Sequence, residues 1–409
     1  MRTSVSATAT LLLAIAIPHV ASAGAHEFTA QVDLRYVAAN TASTSFVDGG
    51  LGELRFDEQH DGIQVGRLLL DAAGPLTETI RYTITASGTE DGDRHALDLT
   101  EAYLSWRPYP QSAWRWQVKG GAFYAPISLE NRAVGWTSIY SLSPSAINTW
   151  IGEETRTLGL EVSASLLGAF ADRSYDITLL GALYRWNDPF GVLIFERGWA
   201  IHDRQSPLFG ELPRTFVQDP NNRDMKFFSE IDGRTGYYVG AEIKWRNDTS
   251  IRALHYDNRG DVNQSSRAEP DWGTTFEAFG ARVMLTPKLS WLSQGMWGDT
   301  EFGPQGTGHG KFMLHYWSYY SLLSYALGEH RFTARFDRMR TKTVRGWRAY
   351  NSEQDAHAWT LAYLYDLNDH WQFGAEALRI SGALEQRALL GLAVDDVERQ
   401  LQIAVRYTW

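Results

Sequence analysis

The residues of this chain that could do covalent chemistry are few, and each group fails on spacing. Residues 306–312 (GTGHGKF) are spaced like a phosphate-binding loop, whose backbone N–H groups and Lys would cradle phosphate oxygens. Gln305 stands where that loop requires Gly, and Phe312 stands where Ser or Thr must hold magnesium. His26-Glu27 opens a zinc-protease helix motif that lacks its second His. The 11 His are scattered without metal-ligand spacing. The chain has no cysteine, which excludes disulfides, thiolate zinc sites and cysteine nucleophiles. No catalytic, metal or cofactor residue is assigned from these motifs.

What remains is charge carried at every second position of strand-like segments. Alternation turns Arg35, Arg67, Arg81, Arg115, Lys119, Lys244, Arg252, Arg282, Arg335 and Arg406 to one side of those segments. It turns Asp33, Asp71, Glu101, Glu161, Glu242, Asp337 and Glu376 to the same side. Rings of such charge would set ion preference in a pore. The competing reading is that acids and bases pair across strands and only satisfy a polar wall.

The segments that must position these charges are strands. In 398–409 (ERQLQIAVRYTW), Leu401, Ile403, Val405, Tyr407 and Trp409 fall on one face, and Gln400, Gln402, Ala404, Arg406 and Thr408 on the other. The strand runs to an aromatic terminus, as the closing strands of outer-membrane barrels do, whereas a soluble sandwich would rarely place aromatics at a fraying end. The same pattern holds for Phe28, Ala30, Val32, Leu34 and Tyr36 against Thr29, Gln31, Asp33 and Arg35. Sixteen segments are read this way, near 27–37, 63–72, 76–87, 97–107, 114–123, 155–166, 174–184 and 236–245 in the first half. The second half supplies 250–257, 275–285, 289–298, 312–326, 331–340, 356–366, 371–381 and 398–409. Tyr316, Trp317, Tyr319 and Tyr320 put aromatics on both faces, which fits lipid contact, a subunit contact or a filled lumen.

Connection length separates a membrane barrel from a soluble one. Tight turns at Gly74-Pro75, 108–113, 168–173, 246–249, 286–288, 327–330 and 367–370 alternate with long connections. The long ones are 38–62, 88–96, 124–154, 185–235, 258–274, 299–311, 341–355 and 382–397. Short turns on one side and long loops on the other imply an all-β, transmembrane, antiparallel up-and-down barrel of about sixteen strands. The 16 Trp and 19 Tyr would then form interfacial girdles.

Residues 1–23 carry Arg2, an apolar run and Ala21-Ser22-Ala23, the pattern of a cleaved secretory signal, leaving 24–409 as one barrel domain. Their removal takes one basic residue and no acid, so the net charge moves from −10 to −11, which argues against nucleic-acid binding. Phe28 follows the expected cleavage site closely. That leaves no N-terminal plug domain and argues against an energy-coupled receptor, so any constriction must come from loops or inward side chains.

The 124–154 connection, with Pro126, Glu130, Arg132, Trp136, Tyr140, Pro144 and Trp150, is too apolar to lie in water. It is expected to fold into the lumen and set the pore size, the alternative being packing over the rim. The 185–235 connection suits a lid or a mobile surface loop equally. The 38–62 connection, with Asp48, Glu53, Asp57, Glu58 and Asp61 against Arg55, is expected outside, where salt screens its charge.

The stretch Gly120-Gly121-Ala122-Phe123-Tyr124-Ala125-Pro126-Ile127-Ser128-Leu129-Glu130 resembles the strand-to-loop junction of the phosphate-selective porins O and P. Arg156-Thr157-Leu158-Gly159-Leu160-Glu161 is similar to the strand that follows the family's loop. The resemblance covers about forty residues and implies a sixteen-stranded, often trimeric, passive channel. The family's phosphate-binding arginine ladder and lysine cluster have no residue-by-residue counterpart here. The expectation is therefore a porin in the outer membrane of a Gram-negative bacterium, surrounded by lipid and passing small hydrophilic solutes or ions without covalent chemistry. Its C-terminal strand would engage the barrel-assembly machinery. A weak anion preference follows from the inward basic excess, with Arg35, Arg67, Arg81, Arg115, Lys119, Glu130, Arg132, Arg282, Arg335 and Arg406 lining the pore or its constriction. The rival classes are a barrel lipase or protease, whose site would assemble from distant strands at the rim, and a structural or adhesive barrel.

Overall fold

The computed structural model of the protein describes residues 26–90, 97–215, 224–264, 270–303, 311–346 and 351–409. The expected signal segment and residues 304–310 of the phosphate-loop-like stretch lie outside the described residues. Sixteen strands pair antiparallel in chain order, and the last closes on the first. The first four are β1 (Glu27–Asn40), β2 (Gly62–Pro75), β3 (Ile80–Gly88) and β4 (Asp98–Trp106). Next come β5 (Trp114–Phe123), β6 (Thr157–Leu166), β7 (Tyr175–Arg185) and β8 (Gly236–Trp245). β9 (Ser250–Asp257), β10 (Gly273–Met284), β11 (Leu289–Phe302) and β12 (Phe312–Leu327) follow. β13 (His330–Arg345), β14 (Gln354–Asp366), β15 (Trp371–Leu384) and β16 (Asp395–Thr408) complete the wall. Closure pairs Gln31 with Thr408 through to Asn40 with Arg399, so the wall has no open edge.

The period-2 pattern acts as expected. On β16, Leu401 and Ile403 are exposed while Gln400, Gln402 and Ala404 are buried. On β1, Leu34 and Tyr36 point outward while Asp33, Arg35 and Val37 are buried. An apolar outside and a polar inside are what a transmembrane barrel requires, because lipid offers no hydrogen bonds. Trp106, Trp114, Tyr175, Trp245 and Trp371 are first or last residues of their strands, all at the short-turn end, which makes one aromatic girdle.

Two local details depart from the simple reading. The first hairpin turns at residues 76–79, not at Gly74-Pro75. Pro75 still pairs with Arg81, and the Thr77 hydroxyl accepts from the Ile80 and Thr79 N–H groups to close the turn. Gly74 is needed because a Cβ there would meet the His26 ring at 2.4 Å. The second is a bulge in β2 at Gly66, where Asp33 pairs with Arg67 but Leu34 with Val65. A Cβ on Gly66 would sit 2.5 Å from Arg35 Nε and 2.8 Å from Asp33 Oδ1, so the glycine leaves room for that ion pair.

The double-faced aromatics of β12 are resolved as a filled lumen. Tyr316 and Tyr320 are buried inside, whereas Tyr319 is exposed outside. The lumen also holds two helices, α1 (Ala146–Glu154) and α2 (Val192–Glu196), both wholly buried.

Candidate functional site: the loop-filled lumen

The 124–154 segment leaves β5 and turns inward at once. Tyr124 stacks on Trp136 with ring centroids 4.3 Å apart, and the Arg156 guanidinium lies 3.6 Å over the Tyr124 ring. Wall side chains satisfy the backbone this segment carries into the barrel. Arg252 donates to the Pro126 and Ser128 carbonyls, and Gln294 donates to Ile127 O. A buried cluster on β13 and β15 receives the N-terminus of α1. The Leu142 and Ser143 N–H groups donate to Glu376, and Ala146 N–H donates to Asp337 at 3.1 Å. Arg335 donates to the Ser143 and Pro144 carbonyls while binding Asp337 at 2.7 Å. Ser145 caps α1, and Glu130 accepts from Ser145 N–H and the Asn148 amide. Carboxylates at a helix N-terminus and an arginine on free carbonyls meet the needs of an irregular backbone in a closed space.

Trp150 on α1 is the centre of the plug. Its ring stacks on Phe190 at 4.7 Å and meets Trp199 and Tyr316 edge-on at 5.3 and 5.0 Å. Phe190 and Trp199 come from the 185–235 connection, which therefore folds inward too. Gly191 caps α2 at φ +115°, pressed against Thr274 and Thr300, where any side chain would clash and strain the backbone. Glu154 accepts from Leu193 N–H, joining the two helices, and burial raises its carboxyl to about 8. Past α2, Asp203 accepts from Arg35 at 2.6 Å and Arg55 at 2.9 Å, with Arg67 at 3.6 Å. Burial alone would raise the Asp203 pKa; the three guanidinium groups outweigh it and hold the carboxyl well below the usual range.

A third segment joins them. Leu54 bridges Ile201, and Phe46 stacks on His202 at 4.4 Å. Glu53 binds Arg387 at 3.1 Å, and its N–H donates to Glu398 on β16. The acids of 38–62 are therefore not all outside: Glu53 and Asp57 are buried, with Arg55 beside them, because closure sets this loop beside β16. The screening argument keeps its force only for the exposed Asp48, Glu58 and Asp61.

At the level of the plug the loops cover the inner wall. Leu69, Tyr238, Tyr256, Leu292, Tyr320, Thr360, Ile380 and Gln402 are all buried from around the circumference. Below it, at the short-turn end, a charged vestibule remains. Lys119 pairs with Glu161 at 3.4 Å, Arg252 with Glu242 at 3.0 Å and Arg81 with Glu27 at 3.7 Å, while Arg406 reaches from it to the buried Asp33 at 3.1 Å. Arg132, its side chain 38% exposed, lies in the first strand of the small hairpin Asn131–Ala133/Thr137–Ser138. It shares Asp248 with Lys244 and Arg282, three cations on one carboxylate. Arg115 has no carboxylate partner among the described residues.

All ten basic and seven acidic residues expected inward do face inward. Pairing is their main use. Arg35, Arg67, Arg335 and Glu130 hold the plug, while Arg81, Arg115, Lys119, Arg132, Arg282 and Arg406 belong to the vestibule. Asp203, Arg55, Arg387 and Glu398 were missed. The run Arg197-Gly-Trp-Ala-Ile-His-Asp-Arg204 carried a signal for the first of them, being too dense in both charge and apolar bulk for a solvent loop.

No family model matches the chain, and no curated protein matches it. Solved structures do match. The outer membrane channel DcaP of Acinetobacter baumannii is similar with TM-score 0.54 at 13% identity, covering 94% of this chain and 97% of that one. OmpF of Salmonella typhi in complex with daunomycin gives 0.52 at 9%, covering 94% and 98%. The loop L8 deletion mutant of OmpT, an outer membrane protein of Vibrio cholerae, gives 0.50 at 10%, covering 95% and 100%. The barrel fold is shared with these proteins. At such identities the likeness concerns the fold, and the lumen must be argued from this chain's own residues.

Proposed function

We propose that this protein is an outer-membrane porin for small hydrophilic solutes, held closed at rest by its own loops. The observation that carries this reading is the division of the lumen. A charged vestibule lies at the short-turn end, the periplasmic end in outer-membrane barrels, and leads to a plug tied to the wall by polar contacts. A sixteen-stranded barrel is wide enough for an aqueous channel once its interior is cleared. DcaP of Acinetobacter baumannii, an outer membrane channel of the same fold, is in keeping with the reading. In planar lipid bilayers the purified protein is expected to give stepwise conductance with long closed periods. A barrel that inserts and never conducts, with or without its loops, would end the proposal.

The finer part of the reading is a weak anion preference set in the vestibule. Arg115 has no carboxylate partner among the described residues, and Arg132, Lys244 and Arg282 outnumber Asp248. Asp71 on β2 and Glu101 on β4, the strand next to that of Arg115, oppose this excess, so the net effect is small. Lys119, spent on Glu161, contributes less than Arg115 or Arg132. The zero-current potential in a KCl gradient is expected to be anion-sided in the wild type. In Arg115→Gln/Arg132→Gln it should move toward zero or reverse, and a wild type of cation-sided potential would refute the assignment.

A further inference from the structure

We infer that the long-loop end carries a divalent-cation site, of calcium type, formed by Asp188, Asp232 and Asp271. One oxygen from each carboxylate lies within 4.8 Å of the other two. Asp188 and Asp232 come from the connection between β7 and β8, and Asp271 from the connection between β9 and β10.

The three carboxylates are turned together and away from water. Asp188 and Asp271 are buried, and the Asp232 side chain is only 2% exposed. Asp232 Oδ2 and Asp271 Oδ2 accept from the same N–H, that of Asp261, at 2.7 and 2.8 Å, which brings two anionic oxygens side by side. Asp271 Oδ1 is buried without a hydrogen-bond partner. Asp188 Oδ2 accepts from the Ile231 and Asp232 N–H groups. Among the described residues the cation paired with this group is Arg234, half exposed, 3.6 Å from Asp232 and 2.9 Å from Asp261. One exposed guanidinium does not balance three buried carboxylates.

An all-oxygen donor set with several carboxylates selects a hard cation, and the irregular loop geometry suits calcium better than octahedral magnesium. Water would complete the coordination. The second group of close acidic ligands, Asp48, Asp57 and His60, differs in kind. Asp48 is exposed, and Asp57 is already engaged by the Ser45 and Gln59 N–H groups and by the His60 ring.

The site would brace the plug. Asp188 precedes Phe190, which stacks on Trp150, by two residues, and its carbonyl accepts from Trp272 N–H at 2.9 Å. A cation there would tie the root of the inward segment to the neighbouring loop.

The test uses the full-length protein in detergent, stripped of metal, with terbium as the luminescent probe. Trp272, adjacent to Asp271 and buried, is a ready sensitiser. Saturable sensitised emission is expected, displaced by calcium at much lower concentration than by magnesium. Asp188→Asn/Asp271→Asn should weaken binding by more than about tenfold. That variant relieves like-charge crowding, so its heat-modifiable gel mobility should match the wild type and report a folded barrel. Asp48→Asn should leave the emission unchanged. Equal emission from wild type and the double variant, or emission lost in Asp48→Asn instead, would overturn the assignment.

Discussion

Replacing residues 131–152 with a Gly-Ser linker of about eight residues is expected to raise single-channel conductance about tenfold. The segment contains most of α1 and the small hairpin, so its loss removes Trp150 from between Phe190, Trp199 and Tyr316. The barrel itself should persist. Its ladder runs through sixteen strand pairs, and none includes the deleted residues. Arg335, Asp337 and Glu376 lose their loop partners, but they would then face water, not a dry interior, which makes the loss tolerable. Trp150→Ala makes a smaller change, a cavity costing about 3–5 kcal/mol of local packing, and should give brief openings where the deletion gives sustained ones. The measurement is bilayer recording on protein whose gel mobility shows a folded barrel. Unchanged conductance in such a deletion would mean that 131–152 is not part of the barrier.

The barrel was legible in the sequence because a strand's side-chain period encodes which face each residue takes. Both termini of the wall, the inward sides of Arg115 and Arg335 and the aromatic girdle follow from that rule alone. The inward fold of 124–154 was legible for a different reason, the cost of leaving Trp136, Tyr140 and Trp150 in water. Period 2 is silent about what an inward residue meets. Arg35 and Arg115 obey the same alternation, yet one is locked against Asp33 and Asp203 and the other stands in the vestibule. Contacts made by closure were equally hidden. Glu53 reaches Arg387 and Glu398 only because the first strand pairs with the last, and no local spacing records that. The Asp188, Asp232 and Asp271 group is spread over three positions far apart in the chain, so motif spacing could not find it either.

Asp203→Asn is expected to undock the second loop without unfolding the barrel. Asp203 lies between Arg35, Arg55 and Arg67, all buried, and Arg406 adds a fourth cation through Asp33. The amide keeps the shape of the side chain but removes the charge, leaving Asp33 to face Arg35 and Arg406 while Arg55 and Arg67 lose the carboxylate they share. Breaking a buried ion network by removing one partner costs about 3–5 kcal/mol, because the remaining charges stay desolvated. The cluster need not remain closed, however. Arg55 belongs to the 38–62 loop and Asp203 to the 185–235 loop, so both can move out and let water reach Arg35 and Arg67. The favoured outcome is therefore an opened plug on an intact barrel: unchanged far-UV circular dichroism, conductance raised toward that of the deletion, and more frequent gating. The pH dependence has a definite sign. The Asp203 pKa is depressed in the folded state relative to about 3.9 in the unfolded chain, so its contribution is present above that value and lost as pH falls through the folded one. Wild type and variant should accordingly differ at neutral and mildly acidic pH and converge only under strong acid. Equal closed times in the two proteins at neutral pH would remove Asp203 from the latch.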